Sequence, residues 1–146
     1  MANFAAKELG LLKAAVLRDN TSDYSQGLTD AFSNTYSALG GEILIEEAYQ
    51  AKETDFKSLL TNIKAANPDV LFVPGYYEEV GLIIKQAREL GLDVPVLGAD
   101  GFDSPKLVEI AGAENLNGTY YSNHYSSSDT SPEVVTFKNA FNKEFS

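Results

Sequence analysis

The chain has no cysteine, a single histidine, and 11 basic residues against 21 acidic ones in 146. Without thiols there are no disulfides, no thiolate nucleophile and no cysteine-ligated zinc. The compartment stays open, because many exported proteins also lack cysteine. One histidine, His124, cannot build a His-rich metal cluster, and neither metal nor cofactor is expected. A net charge of -10 repels phosphate backbones and anionic lipid, which argues against nucleic acid as a partner and serves solubility. No apolar run is long enough to cross a bilayer, so membrane insertion is not expected. The opening residues Met1 to Lys7 lack a basic stretch followed by an apolar one. They read as a helical turn with an added initiator, not as a signal peptide, and imply a chain made in the cytoplasm.

Signatures of catalysis are missing as well. There is no glycine-rich turn ending in Gly-Lys-Ser or Gly-Lys-Thr, no GxGxxG after the first strand and no Gly-x-Ser-x-Gly elbow. A serine triad would have to use His124 as its base, with no serine on an obvious strained turn beside it. A phospho-acceptor receiver needs an aspartate ending strand three and a lysine ending strand five; those places hold Pro74-Gly75 and His124. Asp19 to Asp23 faintly echoes a flavin phosphate loop, but its two aspartates oppose a phosphate. The chain is therefore expected to be a binding module and not an enzyme.

What is present is alternation. After a helix over residues 2–9, strands are expected at Lys13 to Arg18, Glu42 to Tyr49, Asp69 to Val73, Val94 to Leu97 and Gly118 to His124. Helices lie between them: Tyr24, Leu28, Ala31, Phe32, Tyr36 and Leu39 recur at helical spacing, and Gly40-Gly41 stops that run. Thr54 is the expected cap of the next helix, which Asn67-Pro68 ends. Ser104-Pro105 and Ser131-Pro132 each read as a cap followed by proline at the first helical position. Strand centres fall near residues 15, 44, 71, 96 and 121, about one β-α unit apart. The expected fold is a single three-layer α/β lobe over residues 1–146, with a five-stranded parallel sheet in the flavodoxin-like order 2-1-3-4-5. The chain stops at Phe145-Ser146 directly after a helix, which suggests an excised piece.

Open parallel sheets bind ligands beyond the carboxyl ends of their strands, where the winding reverses. The loops in question are Asp19 to Tyr24, Pro74 to Tyr77, Gly98 to Asp103 and His124 to Ser131. They gather Asn20, Ser22, Asp23, Tyr24, Tyr76, Tyr77, Glu78, Asp100, Phe102 and Asp103, rich in aromatics and carboxylates and free of basic groups. Such a rim suits a small ligand with a cationic group and apolar surface. Each residue has a structural alternative. Tyr24 can anchor its helix, Tyr76 can be a stacked surface aromatic, and Asp100-Gly101 is a turn pair. Asp103 and Ser104 read as helix capping, and His124 as structural.

Five segments then carry a resemblance. Ala14 to Leu17 leads to Asp23-Tyr24-Ser25-Gln26-Gly27-Leu28, then to Asn67 through Tyr77, Ile83 through Gly91, and Gly98 through Pro105. Together they resemble the type I periplasmic binding proteins of the leucine/isoleucine/valine-binding family, over almost the whole chain and in order. The resemblance implies the second of two hinged lobes that trap an amino acid and deliver it to the membrane component of an ABC importer, outside the cytoplasm. It implies that Tyr24 after strand one, Tyr76 after strand three and Asp100 after strand four contact the ligand, with Asp100 on the α-ammonium. The first lobe, with the groups that hold the α-carboxylate in relatives, is not in this sequence. The expected ligand is therefore weakly held, and its identity is open. The last helix, striped with Phe137, Phe141 and Phe145, is expected to fold back on the sheet, pair with another copy as a homodimer, or stay exposed.

Overall fold

Strands β1 (Lys13–Asp19), β2 (Glu42–Tyr49), β3 (Val70–Phe72), β4 (Val96–Gly98) and β5 (Thr119–Tyr121) form one parallel sheet in the order β2-β1-β3-β4-β5. The β-α spacing predicts this order. The structure, a computed structural model, describes residues 1–126 and 128–145; Ser127 of the expected 124–131 loop and Ser146 at the chain end lie outside the described residues. Central β1 pairs on both sides, Ala14 with Ile43 and Val70, Val16 with Glu46 and Phe72.

Helices cover both faces. On one, the N-terminal helical segment (Phe4–Glu8) and α1 (Asp23–Ala38) pack on Ala14, Val16, Val70, Phe72 and Leu97. On the other, α2 (Lys57–Ala66), α3 (Tyr77–Glu89) and α4 (Pro105–Ala111) pack on Ala15, Leu17, Leu71, Val73 and Val96. A strand enclosed on both sides has no use for a polar alternate position, which is why Ala14-Ala15-Val16-Leu17 runs unbroken. Phe32 is central to the first layer, stacked on Phe72 at 4.1 Å and on Tyr36 at 5.0 Å.

Several boundaries follow local chemistry. Gly40 takes φ +87° after α1, and Asn67 takes the left-handed conformation after α2, ahead of Pro68. The Ser104 hydroxyl accepts from the Lys106 N–H, with Pro105 opening α4. Thr54 is not the cap of α2; Phe56 occupies that position. The cause is Gln86 of α3, whose amide accepts from the Phe56 N–H at 2.7 Å and donates to the Thr54 carbonyl at 2.8 Å. Pinned at both points, the chain turns helical only after the Phe56 ring is buried. β4 begins two residues later than expected for a similar reason. Arg88 donates to the carbonyls of Leu92 (2.6 Å) and Val94 (3.0 Å), and to those of Asn115 (3.3 Å) and Asn117 (3.2 Å), holding two loops off the sheet. β5 stops at Tyr121, so His124 lies in the loop beyond it and not in the strand.

The last helix, α5 (Pro132–Phe145), does not fold back on the sheet and does not cover the edge beside β5: none of its described residues is buried. Phe137, Phe141 and Phe145 stay more than half exposed. Tyr125, Phe137, Phe141 and Phe145 instead line up in successive ring contacts at 6.5, 6.2 and 4.8 Å. The sheet face beside α1 is occupied by the N-terminal helical segment, with Phe4 against Tyr120 at 5.1 Å. No helix among the described residues is long and apolar enough to cross a membrane.

Removing the Arg88 fork would leave four loop carbonyls without their donor. Arg88→Ala is expected to cost about 2–3 kcal/mol in urea denaturation. Arg88→Lys, a point donor in place of a planar fork, should recover less than half of that.

Candidate functional site

The site begins with one buried hydroxyl. Ser25, in the first turn of α1, donates to the Pro74 carbonyl at the end of β3 and accepts from the Asp19 N–H at the end of β1 at 2.9 Å. The residue is fully buried, so both bonds are shielded from water. Ser22 caps α1 by accepting from the Ser25 N–H, and the Asp19 carboxylate accepts from the Thr21 N–H (2.8 Å) and hydroxyl (2.6 Å). These bonds fix the reversal point between β1 and β3 and set the direction in which Tyr24 leaves α1.

Tyr24, Tyr76 and Asp100 converge there. The Tyr24 hydroxyl donates to Asp100 Oδ1 at 2.9 Å and accepts from the Gly101 N–H at 3.2 Å. The Tyr24 and Tyr76 rings stack with centroids 5.0 Å apart and planes 21° from parallel. Partial burial pushes the Tyr24 phenol up to about 12; the Gly101 N–H opposes this and the Asp100 carboxylate adds to it. The hydroxyl is therefore a fixed proton donor throughout the neutral range. Gly101 makes the approach possible, since a Cβ there would fall 2.4 Å from the Gly75 carbonyl oxygen and 3.2 Å from the Tyr76 ring. Tyr76 is 48% exposed, leaving one edge of the stack open to a ligand.

Other rim residues divide. Phe102 is not on the rim: it is 1% exposed and packed under Gly98, where a Cβ would collide with its ring. Tyr77 leans onto the core layer of α3. Asn20 accepts from Arg18, whose charge Glu46 balances at 2.6 Å. Asp103 does not cap a helix; its carboxylate accepts from the Tyr121 hydroxyl (3.3 Å) and the Asn123 amide (2.6 Å), tying the end of β5 to the 100–103 turn. His124, expected to be structural, is exposed and lies with Nε2 3.7 Å from Asp100 Oδ2. Neighbouring strands explain this, because Gly98 pairs with Tyr121 and the loops that follow them meet. That adjacency was available from the strand order; the residue types alone did not give it. Ser25 and Gly101 also contribute without having been singled out.

Beyond Tyr76 the notch opens into a groove of about 870 Å³, lined by Ser22, Lys52, Glu53, Tyr77, Glu79 and Leu82 among others. Lys52 brings a basic group from the β2–α2 loop, outside the four loops chosen from the sequence; its backbone N–H donates to Glu79 at 2.9 Å. Among the described residues no cluster of three or more His, Cys, Asp or Glu side chains could hold a metal. The arrangement offers a carboxylate, a phenol and an open aromatic face, which is equipment for holding a small polar molecule.

A flavodoxin-like sheet with such a notch at its switch point is an architecture that places ligands beyond the carboxyl ends of its strands. The chain belongs to the periplasmic binding protein family, whose sequence model matches residues 1–146. It is 30% identical over 122 residues to the Leu/Ile/Val-binding protein BraC3 of Rhizobium johnstonii, covering 84% of this chain and 33% of that protein. Its fold superposes on the leucine-binding protein LivK of Thermotoga maritima with a TM-score of 0.89 at 35% identity, covering 99% of this chain and 41% of that one. The corresponding values are 0.85, 34%, 99% and 41% for the branched-chain amino-acid transporter substrate-binding protein LivJ of Streptococcus pneumoniae, in complex with isoleucine. The chain thus spans about a third of the length of the curated relatives it matches. The family is a non-catalytic, solute-binding one.

Two expectations follow. Ser25→Ala strands a buried carbonyl and a buried N–H at once and should cost about 2–3 kcal/mol, read as a lower urea midpoint. Burial also raises the phenols of Tyr24 and Tyr36, each to about 12, and that of Tyr49 further. Their folded values exceed the unfolded value of about 10. Their contribution to stability should therefore be intact below pH 10 and be lost as pH rises from about 10 through 12. Denaturation midpoints measured across that window, with phenolate absorbance as the internal readout, check the sign.

Proposed function

We propose that this chain is the amine-holding lobe of an extracytoplasmic amino-acid-binding protein that serves an ABC importer. In this reading Asp100 takes the ligand's α-ammonium as a charge-assisted hydrogen bond. Tyr24 orients that carboxylate, and the Tyr24–Tyr76 stack lies along the ligand's apolar part. The observation that carries the reading is the meeting of three side chains from three strand ends, two of them 76 residues apart in sequence and bonded at 2.9 Å. The ligands of the relatives, leucine, isoleucine and valine, support an amino acid. Residues 1–146 form one lobe, and the partner for the ligand carboxylate lies in the part of the relatives that this chain does not span. An open notch leaves both ligand charges close to water, where Coulomb attraction is weak. Leucine should therefore bind this chain with a dissociation constant on the order of millimolar, about 4 kcal/mol. Titration by calorimetry or ligand-observed NMR tests this, with Asp100→Asn expected to abolish binding. Micromolar affinity for a monomer, or affinity indifferent to Asp100→Asn, would overturn the assignment.

One observation favours a second property. The aromatic ladder of α5 is a contiguous exposed apolar surface, and such surfaces self-associate. Sedimentation should show a concentration-dependent monomer–dimer equilibrium. Phe141→Glu should return the chain to monomer and leave stability within about 0.5 kcal/mol, since that side chain packs on no core.

A further inference from the structure

We propose that His124 is a further ligand-contacting residue of this notch and makes amine binding depend on pH; the inference rests on the amine-binding reading above. Asp100 has two carboxylate oxygens in different company. Oδ1 is taken by the Tyr24 hydroxyl at 2.9 Å, while Oδ2 faces the imidazole Nε2 at 3.7 Å. That gap is too long for a direct hydrogen bond. It is short enough for one ammonium to reach both atoms at about 2.8 Å. With the ring neutral and its proton on Nδ1, Nε2 is an acceptor. A ligand ammonium would then be held between a carboxylate and an imidazole, with the Tyr24–Tyr76 stack beside it.

Protonation reverses the role. An imidazolium has no acceptor, and it closes on Oδ2 as an ion pair at the place the ammonium would occupy. The cation of the protein and the cation of the ligand then compete for one oxygen. The ionisable groups facing this pair are Tyr24 from α1, Tyr76 from the β3–α3 turn, and Asp103 with Tyr121 from the 100–103 turn and the end of β5. Tyr24 stays protonated far above neutrality, and Asp103 is occupied by Tyr121 and Asn123. Histidine is the side-chain type whose charge changes across the physiological range, and His124 is the chain's one histidine. The position is supported by the topology: β4 and β5 are hydrogen-bonded neighbours, so the loops carrying Asp100 and His124 leave the sheet side by side. The histidine's exposure lets its ring swing toward or away from the carboxylate without disturbing the core.

Two measurements on the intact chain test this. The chain has one histidine, so its imidazole proton NMR signals are unambiguous. Asp100→Asn should move those signals, because the carboxylate lies 3.7 Å from the ring nitrogen, and an unchanged ring spectrum would overturn the pairing. Leucine affinity, followed by ligand-observed NMR, should be several-fold weaker at pH 5 than at pH 8. His124→Ala should flatten that profile and weaken binding several-fold at pH 8. Binding by the wild type that is equal at both pH values would overturn this inference and leave the amine-binding reading standing. No leucine binding at either pH would instead defeat the amine-binding reading, and this inference with it, whatever the histidine signals showed.

Discussion

The arrangement of the notch depends on the Ser25 hydroxyl. One oxygen joins the first turn of α1 to the ends of β1 and β3, donating to Pro74 and accepting from Asp19 in a place water does not reach. The two strands diverge in their connections at this point, α1 returning to β2 and α3 leading on to β4. Without a bond across the reversal, the loops after β1 and β3 would be free to separate. With it, Tyr24 and Tyr76 leave adjacent strand ends at a fixed spacing and stack. Asp100 follows because Gly101 lets its turn press against the Gly75 carbonyl. A hydroxyl satisfied on both sides in a dry setting is stiff as well as stabilising.

The rest of the molecule supplies rigidity to that point through a few polar clasps set into an apolar frame. Gln86 holds the β2–α2 loop that walls the groove, and Arg88 holds the loops that lead into β4 and β5. Both sit on α3, a helix whose other positions fill the core with Val80, Ile83, Ile84 and Ala87. The helix that packs the sheet thus gathers connections at both edges of it, Gln86 at the carboxyl ends of the strands and Arg88 at the amino ends. α5 is outside this scheme: its aromatic residues touch one another and not the sheet.

Much of the fold was legible because its signals are local. Gly40 and Asn67 end helices by adopting conformations other residues avoid, and Ser104-Pro105 starts one. The misreadings share one cause. Thr54 has the right chemistry for a cap, yet a glutamine 32 residues away decides where α2 begins. Phe102 stands in a rim loop by sequence and in the core by geometry, because Gly98 leaves room for its ring. The start of β4 was displaced by a guanidinium from another element.

Read along the chain alone, the residues were enough for the order of elements, their helical or extended character and the strand order 2-1-3-4-5. Those properties come from periodicity and capping within short windows, and from the few ways right-handed β-α units can stack. Within the loops that the sheet topology selects, the resemblance to the binding-protein family pointed to Tyr24, Tyr76 and Asp100. Folding in three dimensions was needed to turn the Tyr24 hydroxyl to Asp100, to bring His124 within 3.7 Å of that carboxylate and to leave α5 off the sheet. Each of those outcomes rests on a few ångströms between loops distant in sequence or on competition for one sheet face, and no local pattern encodes such distances.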